Sequence, residues 1–157
     1  MLRASVLILV FAVPTYAAEL KGHVVSVTDG DTITVLDANK TEHKVRLAGI
    51  DAPETRQPYG HASRKHLAGL VAGRAVRVEW DKRDRYGRIV GKVYHNGKDE
   101  CLAQIEAGMA WHFKRYQNEQ TEADRETYAK AEERARVERI GLWYEREPVP
   151  PWEWRNR

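Results

Sequence analysis

The chain has almost no cysteine: Cys101 is its single thiol, so no internal disulfide can form. The fold must therefore be held by core packing or by a bound ligand. Cys101 lies in ECLAQIEAG, a stretch that reads as a helix, and is expected to be a small buried hydrophobe rather than a nucleophile. Histidine and cysteine are nowhere grouped at zinc-ligand spacing, which argues against a zinc centre. Internal repeats and low-complexity tracts are missing too, which leaves no sign of a solenoid or a disordered linker. An apolar run long enough to span a bilayer, roughly 20 residues, is also lacking. The longest such stretch, Ala4 to Val13, follows Arg3 and is broken by Pro14. With Thr15-Tyr16-Ala17 as a small-residue cleavage site, residues 1–17 are expected to be a secretory leader. The protein is then exported, secreted or periplasmic. Residues 18–157 form one domain with an extended C-terminal tail, and they are numerous enough for a real core.

Charge is plentiful but nearly balanced, with 26 Lys and Arg against 23 Asp and Glu. A sequence pI near 9.0 suits a polyanionic partner without demanding one. The distribution of charge says more. HVVSV and TITVL flank TDGD, and Asp-Gly between β-branched runs is a hairpin signal. HKVRLAGI reads as a third strand. GHASRKHLAGLVAG then switches to helical spacing, with Ala62, His66, Leu67, Leu70 and Val71 in step and Gly73 as the stop. AVRVEW and RIVGKVY are strands four and five, the latter ended by Asn96-Gly97. A short helix follows, with Asp99 near its start and Gly108 at its end. A long one follows that, capped by Thr121 and closed by Gly141.

Five short strands with a helix between the third and fourth predict a small closed barrel of OB type with three helices, an α+β arrangement. Two packed sheets with helices are the competing architecture. The long helix is charge-laced, with Tyr128, Ala131, Ala135 and Ile140 turned inward. The tail PVPPWEWRNR, with Pro148, Pro150 and Pro151, is expected to run extended, anchored by Trp152 and Trp154.

RLAGIDAPE raises the functional question, because charge crowds the exit of an apolar strand there. Buried charge must be paired or bound to a metal. Asp31, after the Asp-Gly turn, and Asp51, at the end of strand three, could converge at one barrel rim. Two carboxylates, waters and a carbonyl describe a Ca²⁺ or Mg²⁺ site. Ala52, made extended by Pro53, is placed to offer that carbonyl. Taken singly, Asp31 is also an ordinary turn residue and Asp51 an ordinary strand-end cap. Arg46 and Arg88 are guanidinium forks suited to phosphate, or simply partners for Glu54 and Asp51. Glu54 could take a proton from water, or be a loop glutamate. Tyr86 and Tyr116, among Arg and Lys, suit stacking on bases, or are half-buried packing residues. His112 is read as a structural hydrogen bonder.

VTDGDTI, VRLAGIDAPE, DRYGRIVGKVY and GMAW, in this order, resemble the staphylococcal nuclease (thermonuclease) family from about Gly22 to Trp143, and PPWEWR resembles bacterial members. The resemblance implies a five-stranded OB barrel with three helices. It also implies a Ca²⁺-dependent nuclease acting on DNA and RNA and leaving 3′-phosphate ends. By position, Asp31 and Asp51 match the calcium carboxylates, Ala52 the backbone-carbonyl ligand, and Arg46, Glu54 and Arg88 the catalytic positions. Tyr86 matches a residue that contacts nucleotide phosphate, and Asp29 an acid just behind the calcium ligands. TRQPYGH is shorter than the family's Lys-rich loop, so contacts carried by that loop do not transfer. A monomer without a standing protein partner is the default. The rivals are an OB module that binds nucleic acid without cutting it, and an exported structural domain whose acids form only ion pairs.

Overall fold

The computed structural model describes residues 18–157; the expected leader at 1–17 lies outside the described residues. The elements, in chain order, are β1 (Ala18–Val27), β2 (Thr32–Asp37), β3 (Glu42–Leu47), β4 (Ile50–Asp51), α1 (Gly60–Val71), β5 (Ala75–Arg83), β6 (Ile89–His95), β7 (Lys98–Asp99), α2 (Glu100–Glu106), β8 (Trp111–His112), α3 (Glu122–Val137) and α4 (Pro151–Trp154). Short 3-10 segments run at Lys114–Glu119 and Gly141–Tyr144.

Strand order is β3-β2-β1-β5-β6-β7, and a parallel pairing of β3 with β6 joins the two sides. The seam matches Val45 with Ile89, Arg46 with Val90 and Leu47 with Gly91. β1, β2, β3, β5 and β6 thus close into a mixed barrel with helices, as in the OB fold, and the open two-sheet alternative is set aside. Bulges between Val24 and Ser26, and between Trp80 and Lys82, supply the local bending that closure needs.

Inside, Ile33, Val35, Val45, Leu47, Val78, Ile89 and Val93 pack with Leu67 and Val71 of α1, Cys101 and Ile105 of α2, and Tyr128 of α3. Along α1 the buried stripe is Gly60, Ser63, Leu67 and Val71, so the helix sits about one residue off the expected face: Ala62 is exposed. Cys101 is fully buried, and burial pushes its thiol far up, as expected of a packing residue. Asp99 caps α2 by accepting from the backbone N–H of Cys101 and Leu102, and Thr121 caps α3 by accepting from that of Asp124.

Two expectations need correcting, and a third is met for a reason the sequence does not show. HKVRLAGI is not one strand: β3 stops at Leu47, Gly49 takes φ +76°, and the chain restarts as β4. Asp51 therefore belongs to a separate ladder, paired with Trp111 of β8. The Asp-Gly turn does join β1 to β2, but Gly30 is not needed for positive φ. A Cβ on Gly30 would lie 1.8 Å from Ser63 Oγ, so the residue is small because α1 presses on the turn. The tail is not wholly extended: α4 starts at Pro151, where a first-turn proline needs no N–H, and it adds a fourth helix to the expected three. Trp152 does anchor it, stacked on Phe113 at 5.5 Å and edge-on to Trp111 at 5.5 Å.

Gly108 stands, as expected, just past the end of α2, but α3 ends at Val137, short of the Gly141 expected to close it, and Gly141 instead begins the next 3-10 segment. Both have positive φ, and Leu142 N–H donates to Gly108 O at 2.9 Å, so two backbones touch where a side chain would collide.

Ile33, with no exposed surface, tests the barrel interior. Ile33→Ala is expected to cost about 3 kcal/mol and Ile33→Val about 1 kcal/mol. Urea midpoints at unchanged slope would show it, and an Ile33→Ala loss below that of Ile33→Val would place the residue outside the core.

Candidate active site

Arg46 sits on the β3–β6 seam with its guanidinium aimed at the barrel mouth. Its Nη1 donates to the carbonyls of Leu47 (3.0 Å) and Ile50 (2.9 Å), so the break around Gly49 wraps the head group. Its Nη2 touches Asp51 Oδ1 at 2.9 Å and Asp31 Oδ2 at 3.1 Å. One nitrogen thus binds both carboxylates, which makes Asp31 and Asp51 immediate neighbours. Both are buried.

Asp31 is fixed on every side. Its Oδ2 accepts from Ala52 N–H at 2.7 Å, its Oδ1 accepts from Thr32 Oγ1 at 3.0 Å, and its own N–H donates to Asp29 Oδ1 at 3.0 Å. Behind it, Gln104, with no exposed surface, donates from Nε2 to Gly30 O at 2.6 Å, while its Oε1 meets His66 Nδ1. The loop that carries Asp31 is thereby hung from α2. Glu54 lies further out, on a turn closed by Gln57 N–H to Glu54 O at 2.8 Å. Gly60 lets α1 approach this turn, since a Cβ there would be 2.0 Å from Glu54 O.

Arg88 reaches the groove from the start of β6. Its Nε donates to Asp84 Oδ2 at 2.7 Å, and its backbone N–H to Asp84 Oδ1 at 3.0 Å. The Nη edge makes no hydrogen bond among the described residues. Tyr86, 68% exposed, stands on the same turn with its ring centre 5.4 Å from the Arg88 guanidinium. Tyr116 is half-exposed on the 3-10 segment, edge-on to Phe113 at 5.0 Å.

All eight expected residues, Asp31, Arg46, Asp51, Ala52, Glu54, Tyr86, Arg88 and Tyr116, line one open groove of about 1010 Å³. Asp31, Arg46 and Asp51 are in direct contact, and Ala52 joins them through its N–H. Arg88 pairs with Asp84 rather than with Glu54 or Asp51. His112 stays out of the groove: its Nε2 bonds Gln120 Oε1 at 2.8 Å, and burial lowers its pKa.

A family model for staphylococcal nuclease homologues matches residues 44–145. The chain is 41% identical to an uncharacterized endonuclease of Escherichia coli over 149 residues, 94% of this chain and 93% of the relative. It is 40% identical to a micrococcal nuclease of Shigella flexneri, covering 98% of this chain and 90% of that one. The chain belongs to the staphylococcal nuclease family. A plant relative, a staphylococcal-like nuclease of Arabidopsis thaliana, shares 41% identity over 72% of this chain but only 33% of its own length. Family membership makes nuclease chemistry the reading of this groove.

Two residues of this groove, Arg155 and Asp84, are not evident from the sequence patterns above. Arg155, just past α4, sends Nη2 to Asp51 Oδ2 at 2.8 Å and Nη1 to Glu54 Oε1 at 2.7 Å. PPWEWR contains it, but nothing local ties it to acids 101 and 104 positions earlier. Asp84 was missed likewise, although Asp84 and Arg88 share one turn.

Burial raises Asp51, and the Asp31 charge adds to this, while the Arg155 hydrogen bond and Arg46 act against it. Burial and the Asp31 charge push Asp29 up to about 6. Among the described residues, no group of three or more His, Cys, Asp or Glu side chains is disposed to hold a metal ion.

Asp84 moves the other way. Burial raises it, but the Arg88 side chain and the N–H groups of Arg88 and Tyr86 outweigh that and hold it below the usual 3.8. Native Asp84 then binds fewer protons than the unfolded chain just below 3.8, so its contribution is full above that value and is lost as pH falls through the native one. Asp84→Asn removes the effect. Its melting temperature is expected to fall less than the wild type's between about pH 5 and about pH 3, and parallel curves would refute the pairing.

Proposed function

We propose that this chain is an exported, calcium-dependent nuclease that hydrolyses phosphodiester bonds of DNA and RNA with little sequence preference and leaves 3′-phosphate ends. The observation that carries the reading is the shared Arg46 nitrogen: two buried carboxylates meet there, in one groove with Glu54 and a free Arg88 edge. Nuclease family membership supports the same conclusion.

The donor set suits a hard cation. Asp31 and Asp51 supply carboxylate oxygens and Ala52 a carbonyl, with water completing a calcium-like shell. Burial already penalises Asp51 as an anion despite its two arginine partners, so the mouth favours further positive charge. A bound Ca²⁺ would add Lewis-acid charge against a phosphate oxygen.

The chain's own residues do the rest. Glu54, on the groove wall, accepts a proton from the attacking water as that oxygen bonds to phosphorus. Arg46 and Arg88 offset the charge that grows on the phosphoryl oxygens. The P–O5′ bond breaks, the 5′-oxygen takes up a proton from solvent water, and phosphate stays on the 3′ side. Asp84 occupies Arg88 Nε and so turns the paired Nη donors toward the anion. Tyr86, at the rim beside Arg88, is assigned to phosphate contact, and Tyr116 to base stacking. The leader-like first 17 residues support export, and a monomer acting alone is the simplest assembly.

Digestion of plasmid and of RNA with Ca²⁺, with Mg²⁺ and with chelator tests the proposal. Cleavage of both polymers with Ca²⁺, abolished by chelator, is expected, with end-group analysis giving 3′-phosphate. Arg88→Ala and Glu54→Gln should stay folded and lose activity by about a hundredfold or more, on the order of 3 kcal/mol. Nucleic-acid binding without cutting would support the binding-module rival instead.

A further inference from the structure

The three acids assigned to the site, Asp31, Asp51 and Glu54, are not held alike. Asp31 is fastened by Thr32, Ala52 and Arg46, and Asp51 by Arg46 from within the barrel. Glu54 has no such support. Its side chain is 40% exposed, and among the described residues its charged or hydrogen-bonding partner is Arg155 alone.

Arg155 is itself well placed to hold something. Pro151 is buried, Trp152 is wedged between Phe113 and Trp111, and Arg155 N–H closes α4 on Pro151 O at 3.0 Å. The approach to α4 is pinned as well, because Gln57 Nε2, from the Glu54 turn, donates to Val149 O at 2.6 Å. The guanidinium thus projects from a fixed segment. One face of it spans both acids, with Nη2 on Asp51 Oδ2 at 2.8 Å, and Nη1 on Glu54 Oε1 at 2.7 Å and on Asp51 Oδ1 at 3.3 Å.

We propose that Arg155 is a positioning residue: its guanidinium bridges Asp51 and Glu54 and so sets the proton-accepting carboxylate beside the metal-side acid. The inference rests on the nuclease reading above. A planar fork can bridge two carboxylates in a fixed geometry, whereas a lysine ammonium is a point charge on a flexible stem. Arg155 also places a positive charge next to Asp51, where it opposes an arriving divalent ion. Its loss therefore has two effects of opposite sign: turnover falls because Glu54 is released, and ion binding tightens because a competing charge is gone.

The test uses the full chain with Arg155→Ala, Arg155→Gln and Arg155→Lys, each checked for folding by thermal melting. Calcium chloride alone is titrated calorimetrically, and steady-state cleavage is measured on DNA. For Arg155→Ala, kcat is expected to fall at least tenfold with KM within about twofold, while the Kd for Ca²⁺ falls about tenfold. Arg155→Lys should recover part of kcat. Arg155→Ala placed on Glu54→Gln should add little further loss, since the group to be positioned is gone. If Arg155→Ala does not fold, Arg155→Gln, which keeps the first part of the stem without charge, carries the same expectations. Wild-type kcat in the folded variants overturns the proposal. So does a full additional loss in the Glu54→Gln background, and so does calcium binding that is unchanged or weaker. A wild-type protein that does not cleave with Ca²⁺ overturns the nuclease reading itself, an outcome distinct from any of these.

Discussion

Two carboxylates buried at a barrel mouth cannot stand without a cation, and Arg46 supplies one from the seam that closes the barrel. The same side chain therefore serves the strand break and the acidic cluster together. Its Nη1 donates to the carbonyls on either side of the Gly49 break, and its Nη2 draws Asp31 and Asp51 together. A buried pair of this kind is weak evidence for net stability, since desolvation consumes much of the attraction. What it provides is placement. Asp31 comes from the β1–β2 turn and Asp51 from the short β4 ladder, and one nitrogen makes them a single acidic face.

The second cationic group is organised on a different plan. Arg88 is not drawn into the acidic cluster, because Asp84 engages it within its own turn, through side chain and backbone together. Had Arg88 paired with Glu54 or Asp51, its Nη donors would have been spent inside the protein. A local acid that takes only Nε keeps the fork rigid and its outer edge open. The groove thus has acids from the β1–β2 turn and β4 on one side and Arg88, just ahead of β6, on the other, with Arg46 on the β3–β6 seam.

Much of this was legible in the residues. Alternation in TITVL and AVRVEW marked strands, Asn96-Gly97 marked a turn that takes positive φ at both residues, and Asp99 and Thr121 marked helix starts. The crowding of charge in RLAGIDAPE marked the groove. What could not be read depends on partners distant in sequence or on packing. Gly49 breaks the third strand because β4 must turn away to pair with β8, a requirement visible only once Trp111 is in place. Gly30 is demanded by Ser63 of α1 and not by its own dihedral angle. Prolines in the tail argued against a helix, yet Pro151 is what starts one. Arg155 closes on Glu54 across 101 positions, and no local pattern carries such a contact.

The buried amide of Gln104 has a consequence of its own. Its NH₂ donates to Gly30 O, so its oxygen must accept from His66, and the imidazole proton is thereby fixed on Nδ1. The carboxamide therefore has a fixed sense, with its NH₂ toward the β1–β2 turn and its oxygen toward α1. A carboxylate of the same shape could not replace it, because an acceptor would then face the Gly30 carbonyl. The Asp31 loop hangs from a side chain that must donate at one atom and accept at the other.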